Sequence, residues 1–183
     1  RRQRQMSIRD RSEPLLDQLL VTKPLTHRNE GENLDLSGEQ PVLSGSFNPG
    51  NGWQERKFDQ PVTGRYVCLE ALSAQDGKDL ACIAEMYLLD ENGERLSREP
   101  WIVNYADSED VSHVNCSADK IFDLQESTYW STTKDTPYPH SVVIDLGSTR
   151  TLTGIQYLPR MESEVPGGIK DFKVYVKSKA FNY

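Results

Sequence analysis

Apolar residues along this chain come in short runs, divided by clusters of Gly, Pro, Asn and Asp. That rhythm predicts strands joined by turns. Pro41 to Phe47 and Trp53 to Phe58 are two short candidates, separated by Asn48-Pro49-Gly50-Asn51-Gly52, a strong turn signal. Gly64 to Ala71 alternates in period two through Tyr66 and Cys68, while Ala81 to Leu89 is mostly apolar, as in a central strand. Asp90 to Glu94 reads as a turn, Trp101 to Tyr105 as the next strand, and three more strands follow Trp130. Turn signals recurring roughly every 8 to 12 residues predict an all-β sandwich or barrel.

Two stretches depart from this rhythm. Leu15, Leu16, Leu19 and Leu20 share one helical face behind Glu13-Pro14, predicting a short helix that needs something to dock on. Thr22 to Gln40 is polar and turn-rich, so residues 1–40 form a helix-and-linker extension to a domain at 41–183. The second departure is Ala118 to Thr132. A short helical turn places Ala118, Ile121 and Phe122 on one face, the polar run Asp123 to Thr128 makes a tight loop, and Tyr129-Trp130 starts a buried strand. Carboxylates, an amide and hydroxyls this close together are oxygen donors suited to a hard cation or to hydrogen-bond partners.

Composition narrows the function classes. At 183 residues the chain is one domain with an extension, long enough for a single core. A net charge of −7 and a pI near 5.0 argue against a nucleic-acid partner, despite five Arg among the first 12 residues, which read as a tail or an upstream connection. No apolar run is long enough to span a membrane, and a targeting segment is expected upstream. Cys68, Cys82 and Cys116 lack metal-ligand spacing and read as buried or incidental thiols. His140 reads as structural, and His27 and His113 have no ligand-spaced partner. Glu162 and Glu164 are the carboxylate pair that a glycosidase reading would need, but no cleft is predicted around them. Asn115-Cys116-Ser117 has the form of a glycosylation acceptor.

The run A-x-x-x-F-D-x-x-x-S-T-Y-W-S, from Ala118 to Ser131, resembles the first half of a discoidin domain, the coagulation factor V/VIII type C fold shared with carbohydrate-binding module family 32. Pro139–Gly147, Leu152–Arg160 and Gly168–Val176 are similar to the family strands that follow. Gly64–Ala71 and Ala81–Leu88 resemble its last two strands, yet lie upstream. The resemblance therefore implies a circularly permuted galactose-binding-domain-like jelly roll. Residues 41–90 carry the C-terminal half of the family pattern and 101–183 the N-terminal half, with Asp90 to Pro100 joining them. Residue 183 is then expected near Pro41. Two half-domains that each complete a partner are the rival reading.

The resemblance also implies a structural calcium. Asp123 and Glu85 would give carboxylates, Thr128 its hydroxyl or carbonyl, and Lys120 and Gln125 backbone carbonyls. Here the family often reads Asp-Gly-(Asp or Asn), whereas this chain reads Asp123-Leu124-Gln125. The alternative is that Asp123 and Glu85 only cap loops. For sugar, the resemblance implies Arg160, whose planar fork of donors suits vicinal hydroxyls, with Trp130, Ser131 and Tyr138 around it. Family members commonly carry a His and an aromatic after the Trp; this chain has Ser131-Thr132-Thr133-Lys134 instead, so Tyr138, Trp53 or Tyr129 must supply a ring. Arg160 alternatively pairs with Glu162 or Glu164. The expected function is a non-catalytic module that binds glycan, with terminal galactose as the candidate, attached to an upstream catalytic domain in a periplasmic or extracellular bacterial enzyme. The Lys23-Pro24-Leu25-Thr26-His27-Arg28 stretch and the sandwich after it resemble the tail of family 35 exo-β-galactosidases. A module that braces the catalytic domain without binding sugar is the alternative.

Overall fold

The computed structural model describes residues 33–183; the expected helix at 15–20, the Arg-rich start and most of the linker lie outside the described residues. Among the described residues eight strands form: β1 Leu43–Ser46, β2 Gln54–Ala71, β3 Cys82–Ile83, β4 Glu85–Leu89, β5 Ile102–Ala106, β6 Trp130–Ser131, β7 His140–Leu158 and β8 Asp171–Lys177. A 3-10 turn, Ala118–Phe122, stands between β5 and β6 and buries Ala118 and Ile121, the face expected from the sequence.

The main sheet runs β1-β8-β2-β7-β4, with β5 also paired to β7, and β3 pairs with β6 separately. The two long strands make this a sandwich. The first half of β7 pairs with β5 and with the end of β2, while its second half pairs with β4 and the start of β2. Both strands thus pass from one layer to the other. Register shifts at Lys57/Val62 and Gly64/Tyr66 bend β2. Gly147, at φ +83°, bends β7, and its N–H is held by the Asp145 carboxylate at 2.8 Å.

Period-two alternation sets what each strand buries. Val67, Leu69 and Ala71 of β2, Val142, Ile144 and Leu146 of β7, and Phe172 and Val174 of β8 face a core completed by Met86, Leu88, Ile155, Tyr157 and Trp130. On the opposite face, Cys68, Val143 and Tyr175 make a smaller cluster with Tyr105 and Phe181, against which Leu34 and Leu36 pack.

Three strand expectations need correction. The segments 53–58 and 64–71 form one strand, because Pro61 falls where β2 shifts register, a site that tolerates a missing N–H. The segments 139–147 and 152–160 also fuse, into β7. The expected single strand at 81–89 divides at Ala84: Cys82–Ile83 pairs with β6 and Glu85–Leu89 with β7. The end of the predicted linker is not free either, since the Asp35 N–H donates to the Asn182 carbonyl at 2.8 Å.

Candidate functional site

Two arginine-centred clusters emerge from this fold, each stacking a guanidinium on a tyrosine ring beside a glutamate.

The first lies beneath the Asp123–Thr128 loop. The Asp123 carboxylate accepts from the Gln125 N–H at 3.0 Å and from the Thr128 hydroxyl, which also reaches the Gln125 carbonyl at 3.2 Å. Leu124 takes φ +65°, a left-handed conformation that favours glycine, and its side chain is 76% exposed. Across from the loop, Glu85 enters from β4 and is buried. Burial and the adjacent Asp123 push its carboxyl up to about 7, against the opposing pull of Arg98. The fold thus gathers Glu85, Asp123, Gln125 and Thr128. Lys120 lies at the end of the helical turn with its N–H bonded to the Ser117 carbonyl at 3.1 Å.

Arg98 was not singled out in the sequence. Its buried guanidinium is ion-paired with Glu85, and Nη1 also donates to the Met86 carbonyl at 3.1 Å and the Ile121 carbonyl at 3.3 Å. Nη2 donates to the Tyr87 hydroxyl at 2.8 Å, and Cζ lies 3.7 Å from the Tyr87 ring centroid. Outside it runs a surface groove of about 800 Å³ lined by Tyr87, Arg95, Leu96, Arg98, Phe122 and Leu124. At this flank Arg95 sits over Tyr87 and Trp53, and the Trp53 indole N–H donates to Glu126 at 2.9 Å.

The second cluster surrounds Arg160, at the end of β7. Its guanidinium lies 4.0 Å from the Tyr129 ring centroid and pairs with Glu162. Exposure differs sharply from the first pair: 14% and 55% for the Arg160 and Glu162 side chains, against 3% and 2% for Arg98 and Glu85. Arg160 Nη1 meets only the Cys82 sulfur at 4.0 Å, and Nε is buried without a partner among the described residues.

The other expected sugar residues are placed differently. Trp130 is core, with its indole N–H given to the Ser108 carbonyl at 3.0 Å. Ser131 is buried and donates to the Thr132 carbonyl at 3.0 Å. Tyr138 packs against the core and donates to the Leu80 carbonyl at 2.6 Å. None of the three presents a free polar atom beside Arg160, because each is consumed in holding the surrounding segments. Tyr129 is the ring that lies against the arginine.

His140 is fully buried, its Nδ1 at 2.7 Å from Asp107 and Nε2 at 2.6 Å from the Asp79 carbonyl, so both ring nitrogens are committed. All three thiols are free and buried, and burial pushes each up, leaving them protonated and poorly nucleophilic at neutral pH. No helix among the described residues is long and apolar enough to cross a membrane.

Residues 104–183 match the family model described as F5/8 type C domain. The chain is 36% identical over 73 residues to a sialidase of Micromonospora viridifaciens, covering 38% of this chain and 11% of that protein. It is 28% identical over 91 residues to a galactose oxidase of Gibberella zeae, covering 50% of this chain and 13% of that protein. The chain thus spans little more than a tenth of the curated relatives it matches. Its antiparallel sandwich is the galactose-binding-domain-like jelly roll, and its residues 104–183 are similar to the F5/8 type C domain.

Proposed function

We propose that this domain is a non-catalytic carbohydrate-binding module that holds a secreted bacterial glycoside hydrolase on its glycan. The observation that carries this reading is the Arg160–Glu162 pair, stacked on Tyr129 at a surface where the carboxylate is more than half exposed. A fork of N–H donors beside a carboxylate acceptor matches the hydroxyls of a sugar edge. The names of the relatives, a sialidase and a galactose oxidase, support a sugar ligand and a carbohydrate-active parent. Terminal galactose is the proposed ligand, a family 35 exo-β-galactosidase the proposed parent, and the periplasm or cell exterior the proposed location. The reversed order of the family's halves is read as circular permutation, supported by the pairing of β1 with β8 and of Asp35 with Asn182.

Calorimetric titration of the chain with galactose and a methyl β-galactoside tests the binding. Saturable heat is expected, and it should fall at least tenfold in affinity in Arg160→Ala. No heat at millimolar sugar would contradict the reading. It would favour a module that braces a catalytic domain, a role favoured by the commitment of Trp130, Ser131 and Tyr138 to packing and backbone hydrogen bonds.

A further inference from the structure

The oxygen cluster beneath the 123–128 loop already faces a cation supplied by the chain itself, the Arg98 guanidinium. Calcium binds six to eight oxygens, which the resemblance would draw from Glu85, Asp123 and nearby carbonyls. Glu85 is instead ion-paired with Arg98, and Nη1 of that arginine takes the Ile121 carbonyl on the turn leading into the loop. Asp123 meanwhile is engaged by the Gln125 N–H and the Thr128 hydroxyl. A divalent ion entering this cluster would meet a buried guanidinium beside it, a repulsion that low dielectric strengthens.

The placement of Arg98 is built into the chain between β4 and β5. The Leu96 N–H donates to the Leu88 carbonyl at 2.9 Å, and the Trp101 N–H to the Arg98 carbonyl at 3.1 Å. Leu96 and Trp101 are both buried and anchor the backbone on either side. The stacking on Tyr87 then fixes the plane of the guanidinium.

We propose that Arg98 is the resident cation of this cluster, standing where the resemblance places calcium, so that the domain folds without the metal. The segment joining the two halves thereby supplies the charge that ties the 118–128 region to β4. Gln125 fits this arrangement, since it stands where the family pattern offers a further acidic ligand beside Asp123.

The test is the thermal unfolding of the wild-type chain in millimolar calcium chloride and in EDTA, alongside calcium titration by calorimetry. The melting temperature should be the same in both solutions, with no saturable calcium heat. Arg98→Ala should melt roughly 10 °C lower, and calcium should restore part of that loss by entering the vacated oxygen set. Arg98→Lys, which keeps the charge, should lie between the two and serves as the readout if the alanine variant does not fold. Saturable calcium binding by the wild type with a fall in melting temperature in EDTA would overturn the proposal. So would an arginine variant as stable as the wild type.

Discussion

Arg98 and Arg160 have the same local chemistry, a guanidinium on a tyrosine ring beside a glutamate, in opposite surroundings. Around Arg98, Nη1 also meets backbone carbonyls from β4 and from the helical turn and Nη2 meets the Tyr87 hydroxyl, with Nε left without a partner among the described residues. Around Arg160, Nη1 meets a thiol sulfur, and Nε likewise has no partner among the described residues. A buried guanidinium with fixed carbonyl partners joins chain segments. One whose carboxylate partner is more than half exposed, as at Arg160, leaves an acceptor open to solvent. Motif and spacing do not separate these roles, since burial and the remaining partners decide them.

Removing the carboxylate from the sealed cluster should give the largest effect. Glu85→Ala leaves the buried Arg98 unpaired and should cost about 3–5 kcal/mol in urea unfolding. Replacing both partners with apolar residues, Glu85→Leu with Arg98→Met, should cost well under that, because no buried charge is then stranded. A double variant as damaged as the single one would mean that the pair is needed for more than mutual neutralisation.

Leu124→Gly addresses the loop covering that cluster. Relieving a left-handed leucine should stabilise the chain by about 1 kcal/mol, since its exposed side chain loses little packing. A loss of stability would show that Leu124 makes contacts worth more than its backbone strain.

A smaller, pH-dependent change should come from His140. Burial disfavours its imidazolium, but the Asp107 carboxylate and the Asp79 carbonyl and charge together outweigh this and raise its pKa above the ordinary value. A raised histidine contributes its stability fully below the unfolded value near about 6.5 and loses it as pH rises through the folded-state value. Urea midpoints measured from pH 6 upward should therefore fall, and Asp107→Asn should flatten that slope.

Much of this was legible in the residues. Short apolar runs between turn signals located the strands up to Tyr105, the family resemblance those after Trp130, and the Ala118/Ile121 face identified the helical turn. The Arg160–Glu162 contact was readable as one alternative, because two residues of separation keep the partners in reach. The joins were harder to see. Pro61 reads as a strand end, and only a register shift against β7 lets β2 run through it. The break at Ala84 depends on which neighbour each half pairs with, a tertiary fact. Arg98 lies in a polar turn-rich segment, and its burial follows from Leu96 and Trp101 anchoring the chain around it. Its partner is 13 residues away, with no local pattern joining the two.

The difference between the two arginines is tested most directly by melting Arg98→Ala and Arg160→Ala with and without saturating methyl β-galactoside. Ligand that binds only the folded state raises the midpoint. Arg160→Ala should melt within about 2 °C of the wild type, as expected for a partly exposed ion pair, and lose the ligand-induced rise. Arg98→Ala should melt well below the wild type yet keep that rise. A rise retained in Arg160→Ala, or a wild-type midpoint in Arg98→Ala, would contradict the division of roles.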